Sequence, residues 1–479
     1  MTESKNIPST APNALLNELL QGSVYFLGIG GIGMSALARY FNSRGNKVSG
    51  YDKTSTSLTR QLEAEGMQIH YEDNVELVDK DALLVLYTPA IPADHTELNF
   101  YRNNGYRLMK RSEALGLITS NHFNICVAGT HGKTTTSAML AHILRDSGVG
   151  CNAFLGGIAS NYQTNFWSSE QNIFVAEADE YDRSFLQLNP NVAIITSMDA
   201  DHLDIYGTEE NMQNAFIAFA VKIKEGGKLF LKKGLVRSGE MQAAHKNTYS
   251  ATDQNADIYA KNTRVQNGSY FFDIVLPGRE LKALELNMGG LHNIENVLAA
   301  IAVAAHMDID EDKIRKAVAS FKGVKRRFEY VIRSVEAGLV FIDDYAHHPE
   351  ELRALISSAK ELYPGKTCTV IFQPHLFSRT QDHAAGFAEV LSQADEVILL
   401  PIYPARELPV LGVSSGLILD KMTITQKSIK SKEEVLQWMK ANSVELFITS
   451  GAGDIDTLIE PLKQIIESNL EHRNTQKIS

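Results

Sequence analysis

Cysteine is scarce in this chain, long apolar runs are missing, and basic charge is in deficit. Three cysteines in 479 residues, Cys126, Cys151 and Cys368, are too few and too widely spaced for a disulfide framework or a paired zinc site. Cys126 lies inside an apolar run, so packing in a reducing compartment is the expected role of all three. No apolar stretch approaches the ~20 residues of a membrane span. Met1 to Gln21 lacks the basic start and apolar run of a secretory signal. No membrane insertion is expected, and the cytoplasm is the expected compartment. A net charge of −11 supplies no overall positive field for nucleic acid or an anionic membrane surface. Local glycine-rich loops can still bind phosphate on an acidic protein. A composition of 44% hydrophobic and 22% charged residues is that of a soluble globular protein, too long at this length for one core; about three domains are expected.

The chain is organised around Asn124-Ile-Cys-Val-Ala-Gly-Thr-His-Gly-Lys-Thr-Thr-Thr136. Ile125 to Ala128 reads as a buried strand ended by Gly129, and Lys133 to Asp146 carries Ala138, Met139, Ile143 and Leu144 at helical spacing. Strand, glycine turn, Lys-Thr and helix describe a phosphate cradle. Turn amides and the helix start face the anion, Lys133 supplies a point charge, and Thr134 offers a hydroxyl to Mg²⁺. The full P-loop pattern asks for a glycine where Val127 stands, which leaves the shorter Gly129-Thr-x-Gly-Lys-Thr134.

Ahead of it, the strand Val24 to Leu27 runs into Gly28-Ile-Gly-Gly-Ile-Gly33, a dinucleotide-type fingerprint whose glycines permit a tight turn close to a pyrophosphate. A second strand, Lys47 to Tyr51, ends at Asp52, about where an acidic residue meets a ribose. A third, Ala82 to Tyr87, leads to Thr88, a candidate hydroxyl for the same diphosphate. His70, at the end of a short strand, reads as a surface histidine. Lys110, Arg111 and Glu113 form a charge cluster that suits more than one role.

Beyond the phosphate loop, the strand Asn172 to Ala176 ends in Glu177-Ala-Asp-Glu-Tyr-Asp182, with Glu177 the choice for a direct Mg²⁺ ligand. The strand Val192 to Thr196 leads to Asp199-Ala-Asp-His-Leu-Asp204, where His202 is a candidate second-metal ligand or proton carrier. His292, Asn293 and Asn296 open a helix, and capping explains one of them but hardly all three. Arg326 and Arg327 suit phosphate or carboxylate. In the last segment Val340 to Asp344 is followed by Tyr345-Ala-His-His-Pro349. The strands 367–372, 396–400 and 446–449 alternate with helical patterns, as in another doubly wound unit. The expected fold is therefore α/β with three domains: 1–120 Rossmann-like, 121–328 a P-loop-type ATPase unit, and 329–479 Rossmann-like. Two phosphate sites suggest ATP plus a second, nucleotide-linked substrate, with an acyl phosphate formed and then attacked by an amine.

Gly129-Thr-His-Gly-Lys-Thr-Thr-Thr136, Glu177-Ala-Asp-Glu-Tyr-Asp182, Asp201-His-Leu-Asp204, His292-Asn293, Arg326-Arg-Phe328 and Asp343-Asp-Tyr-Ala-His-His-Pro349 follow one another in an order that resembles the Mur ligases. These are the ATP-dependent amide ligases of peptidoglycan synthesis, and the likeness spans essentially the whole chain. The front motif Gly28-Ile-Gly-Gly-Ile-Gly-Met-Ser35 and the His-His-Pro element are most similar to the branch that joins L-alanine to UDP-N-acetylmuramate. The resemblance implies that domain 1–120 binds UDP-N-acetylmuramate through Gly28, Gly30, Gly31, Gly33, Asp52, Thr88 and Arg111. It implies ATP contacts at Gly129, Thr130, His131, Gly132, Lys133, Thr134, Thr135, Asn293, Arg327 and Asp344. Thr134, Glu177 and His202 would hold Mg²⁺, or Mn²⁺ in its place, with Lys133, Glu177 and His202 the catalytic set. Tyr345, His348 and Arg379 would lie near the incoming L-alanine. The oligomeric state is left open.

Two departures stand out. Some sister ligases carry a carbamylated lysine after the Asp-His motif, and no lysine occurs between Asp204 and Ala220 here. The family pattern Gln-Pro-His-Arg-Tyr reads Gln373-Pro-His-Leu-Phe377, with Leu376 in the arginine's place. The nearest rival is the recycling ligase that joins a preformed tripeptide to the same UDP-sugar. An NAD-dependent dehydrogenase, argued from the first fingerprint alone, leaves the Lys133 loop unexplained. A nucleotide-sensing module without ligase chemistry is the third alternative.

Overall fold

The computed structural model describes residues 12–199, 203–334, 336–405 and 407–478. His202 and Asp201 lie outside these residues. The described chain is a three-domain α/β protein built on three sheets. The first consists of β1 (Ser23–Leu27), β2 (Val48–Tyr51), β3 (Gln68–His70), β4 (Ala82–Tyr87) and β5 (Leu108–Lys110), in the order β3-β2-β1-β4-β5 and all parallel. The order reverses beside β1, so the loops after β1 and β4 flank the crevice where such sheets take ligands.

The second sheet has ten strands: β6 (Phe123–Ala128), β7 (Asn152–Ala159), β8 (Thr164–Trp167), β9 (Ile173–Ala178), β10 (Val192–Ile195), β11 (Lys228–Lys232), β12 (His245–Ser250), β13 (Ile258–Gln266), β14 (Ser269–Leu276) and β15 (Arg279–Leu286). Their order is β15-β14-β13-β12-β11-β10-β6-β9-β7-β8. β6 sits between β10 and β9, parallel to both, and Ile125 to Ala128 are buried. A continuous apolar run is what a strand covered on both faces requires. The strands β13 to β15 have no counterpart in the sequence reading. The turn between β13 and β14 is Asn267-Gly268, both at positive φ (52° and 74°), the two-residue hairpin signal that would have revealed them.

The third sheet comprises β16 (Glu329–Ser334), β17 (Leu339–Asp344), β18 (Cys368–Phe372), β19 (Glu396–Leu399), β20 (Lys427–Ile429) and β21 (Leu446–Ser450), in the order β16-β17-β21-β18-β19-β20. Only β16, an added edge strand, runs antiparallel to its neighbour.

Two compact units are formed, residues 1–261, 274–282 and 295–318 in one and 262–273, 283–294 and 319–479 in the other. In the first, one core cluster runs from Phe26, Leu37 and Phe41 to Phe154, Phe166 and Phe174, and a separate one gathers Tyr25, Tyr51, Val85 and Tyr101. Tyr40 joins the two halves, its ring 5.6 Å from Phe154 and 6.1 Å from Phe166. In the second, Phe341, Ile371, Ile398 and Phe447 anchor the sheet against the helices 432–441 and 459–478. All three cysteines are free and buried, and burial pushes the thiols of Cys151 and Cys368 up to about 12, as expected of packing residues. His70 is half-buried: its Nε2 lies 2.6 Å from the hydroxyl of Tyr25, whose hydroxyl also donates to the buried Glu97.

Candidate functional site

The glycine loop after β1 turns back on itself because Gly28 adopts φ 87° and donates, with Ile29, to the carbonyl of Tyr51. Asp52 at the end of β2 accepts from Gly30 N–H at 2.8 Å, so its carboxylate braces the loop in addition to any ribose contact. A side chain on Gly28 would meet Thr88, one on Gly30 would meet Asp52, and one on Gly33 would meet the Arg111 guanidinium. Gly28, Gly30, Gly31, Gly33, Asp52, Thr88 and Arg111 are thus gathered at one edge of the first sheet. The charge cluster resolves into two links to the acidic turn after β9: Arg111 donates to Asp179 and Lys110 to Asp182, both at 3.1 Å.

The Lys-Thr loop after β6 uses Gly129 at φ 137° and Gly132 at φ 83°. A Cβ on Gly129 would overlap the Thr196 hydroxyl, so glycine is required there for close approach. Thr130 N–H donates to the Ser197 carbonyl, His131 N–H to the Ser197 hydroxyl at 2.7 Å, and the Thr196 hydroxyl to the His131 carbonyl. Thr196 and Ser197, directly after β10, therefore shape the loop. They were legible only as polar residues closing an apolar run. The helix Lys133–Asp146 follows, with Thr135 buried in its first turn and His131 exposed.

Glu177 lies within β9, not after it, in register with Val127 of β6. Its Oε1 accepts from the Thr134 hydroxyl at 3.0 Å and its Oε2 from Gly156 N–H at 2.9 Å. Burial raises its pKa, and Lys133 and Thr134 oppose the shift. A hydroxyl and a carboxylate oxygen converging at a phosphate loop suit a hard divalent cation that takes its other ligands from phosphate and water. Among the described residues no group of three or more His, Cys, Asp or Glu forms a protein-only metal cage. Lys133 Nζ donates to the Gly129 carbonyl at 2.7 Å and to the Glu180 carboxylate at 2.8 Å. Neither Glu180 nor Gly156 was singled out in the sequence. Asn296 joins the loop as well, accepting from the Thr136 hydroxyl at 3.2 Å.

The second compact unit carries the remaining candidates. Asn293 is buried and donates through its side chain to the Gly289 carbonyl at 2.6 Å. Asp344 accepts from Phe328 N–H at 2.6 Å and Ala346 N–H at 2.7 Å, and burial pushes its pKa up to about 6. The Arg326 and Arg327 guanidiniums lie 5.0 and 5.9 Å from the Tyr345 ring centre. His348 caps the helix Pro349–Leu362. Arg379 lies 3.4 Å from His375 Nδ1, and that imidazole stacks on Tyr403. His347 stands between, its ring 5.2 Å from Tyr345 and 6.2 Å from His375. Burial lowers the pKa of His347, His348 and His375, and Arg379 adds to the effect in each. Leu376 holds φ 69°, a left-handed conformation rare for a leucine, at the start of the helix Phe377–Leu391.

Glycine loops at the carboxyl ends of parallel strands, one with a lysine, a threonine and a carboxylate converging on it, define a nucleotide-using α/β enzyme. Three family models match in chain order: Mur ligase family, catalytic domain, over residues 23–123; Mur ligase middle domain over 127–304; and Mur ligase, glutamate ligase domain, over 326–453. The chain belongs to the Mur ligase family and is an ATP-dependent ligase. It is 49% identical to a UDP-N-acetylmuramate–L-alanine ligase of Flavobacterium johnsoniae over 452 residues, 94% of this chain and 98% of the relative. It is 50% identical to the protein of the same name from Parabacteroides distasonis over 451 residues, 93% and 97% of the two chains. A solved UDP-N-acetylmuramate-alanine ligase from Thermotoga maritima superposes with a TM-score of 0.79 at 28% identity, covering 94% of this chain and 99% of that one. A murein peptide ligase from Psychrobacter arcticus, at 22% identity and a TM-score of 0.63, shares the fold.

Proposed function

We propose that this protein joins L-alanine to the lactyl carboxylate of UDP-N-acetylmuramate, using ATP, in peptidoglycan precursor synthesis. The observation that carries the reading is the near-half identity, over nearly the full length of both chains, to ligases of that name. In the proposed sequence a carboxylate oxygen of the UDP-sugar attacks the γ-phosphorus of ATP, and ADP leaves. The amine of L-alanine then attacks the acyl carbon; the C–O bond to phosphate breaks, phosphate departs, and the amine loses a proton.

The site residues take their roles from this chemistry. Gly28, Gly30, Gly31, Gly33, Thr88 and Arg111 would hold the diphosphate of the UDP-sugar, with Asp52 supporting the loop. Residues Gly129 to Thr135 would cradle the ATP phosphates, Lys133 offsetting charge on the transferring group. Asn293, Arg327 and Asp344 would contact the rest of the nucleotide, and Tyr345, His348 and Arg379 the amino acid. Thr134 and Glu177, with His202, would hold Mg²⁺, which would supply charge neutralisation at the phosphates. The domain roles follow: 1–120 for the UDP-sugar, 121–328 for ATP, 329–479 for L-alanine. Among the described residues no helix is long and apolar enough to cross a membrane, and the buried free thiols suit a cytoplasmic setting.

ADP release in the presence of UDP-N-acetylmuramate tests the assignment, with L-alanine and a free tripeptide offered in parallel as amine donors. L-alanine is expected to be the preferred amine donor. Preference for the tripeptide would make this the recycling ligase instead, and ADP release with neither would overturn both.

A further inference from the structure

The acidic turn after β9 does more than supply acid near a metal. Glu180 is 1% exposed, and both its carboxylate oxygens lie 2.8 Å from Lys133 Nζ, itself 12% exposed. The turn is fixed from several sides. The Glu180 carbonyl accepts from the Tyr206 hydroxyl at 2.6 Å and from Arg183 N–H at 2.9 Å. Asp179 accepts from Tyr181 N–H and from Arg111, its carbonyl accepts from Phe185 N–H, and Asp182 accepts from Lys110. The backbone that carries Glu180 is therefore fixed and its carboxylate is buried, whereas lysine is a flexible side chain with four rotatable bonds.

An ammonium has three N–H donors. The Gly129 carbonyl at 2.7 Å and the Glu180 carboxylate take two of them, and among the described residues the third has only the Thr130 carbonyl at 3.5 Å. A buried Lys–Glu pair is a poor device for stability, because desolvation consumes much of the attraction. It is a good device for holding a point charge at one place on the phosphate loop.

Building on the ligase reading above, we propose that Glu180 is a positioning residue. It holds Lys133 extended along the phosphate loop, with one N–H left for a phosphate oxygen.

The test separates position from charge. Removing a carboxylate next to an anion site should by itself tighten anion binding. If Glu180 acts by placing Lys133, Glu180→Gln instead weakens ATP binding in full-length protein, by about tenfold in equilibrium titration, and lowers kcat/KM for ATP by about 10²-fold, the scale of a displaced catalytic group. Glu180→Asp, which keeps the charge on a shorter arm, falls between the two. In a Lys133→Ala background Glu180→Gln does not weaken ATP binding. Tighter ATP binding in Glu180→Gln would mean that the pair is an inhibitory latch and would sink the proposal. So would equal weakening in both backgrounds, or a lowered Tm with ATP binding and kcat unchanged. If the wild type releases no ADP with UDP-N-acetylmuramate and L-alanine, the ligase reading fails on its own, and the ATP titrations still decide the role of Glu180.

Discussion

Glu177 can sit where it does only because its neighbour across the strands has no side chain. Its Oε2 accepts from Gly156 N–H, and a Cβ at Gly156 would overlap the carboxylate. If Glu177 holds Mg²⁺ as proposed, Gly156→Ala should push it off Thr134 and raise the Mg²⁺ concentration needed for half-maximal activity by about tenfold or more, the usual effect of disturbing a ligand's support. A Mg²⁺ titration of ADP release checks this, and an unchanged midpoint would contradict it. Asp343 offers a pH test. It is buried, accepts from the Thr449 hydroxyl at 2.7 Å, and has Arg326 at 3.4 Å; Glu329 and Asp344 also act on it. Burial pushes its pKa up to about 7, with Arg326 and Thr449 opposing. A carboxyl raised in the folded state contributes stability below its unfolded value of about 4, and that contribution is lost as pH rises through 7. Asp343→Asn, neutral throughout, should gain Tm relative to the wild type as pH goes from about 5 to about 8. A constant difference across that range would show that Asp343 does not titrate there.

At the scale of elements, the glycine loop after β1, the proposed diphosphate loop, is braced from the central sheet. Asn165 on β8 is fully buried and donates to the Ile32 carbonyl at 2.6 Å and the Ser35 hydroxyl at 3.0 Å, at the start of the helix Ile32–Ser43. It also accepts from Arg39, which is paired in turn with Glu65. Asn165→Leu leaves a buried guanidinium and the helix start short of partners, at a cost of about 2 kcal/mol. The Tm should fall, and the KM for the UDP-sugar should rise more than the KM for ATP, because the displaced helix carries Gly33. Equal rises in the two KM values would argue against a local brace. The sequence showed both glycine loops because a strand, a glycine turn and a helix are local patterns. It could not show the brace, which joins residues 126 positions apart through the pairing of two sheets' coverings.

On the scale of the whole molecule, the proposed division of labour predicts that Lys133→Ala abolishes ligation and leaves UDP-N-acetylmuramate binding largely intact. Calorimetric titration of the variant with the UDP-sugar measures this, and a parallel loss of binding would contradict separate sites. The three α/β layers were legible from strand runs that end in glycine or acid. The strands β13 to β15 were not, because their alternating, half-exposed residues lack the apolar run that marked the parallel strands. The compact units also cut across this region, assigning 262–273 and 283–294 to the unit that contains the third sheet.

The sequence by itself determined the two glycine loops, the parallel strands that feed them, and the lysine, threonine and glutamate of the second loop. Each depends on a few consecutive residues: an apolar run that must be buried on both faces, a glycine that alone tolerates the required φ, a helix that begins where the turn ends. Only the tertiary structure decided what those residues touch. Setting β6 between β10 and β9 brings Thr196 and Ser197 under the phosphate loop and Glu180 onto Lys133, 47 residues away. Such contacts follow from strand order and burial, which long-range packing sets and no local pattern records.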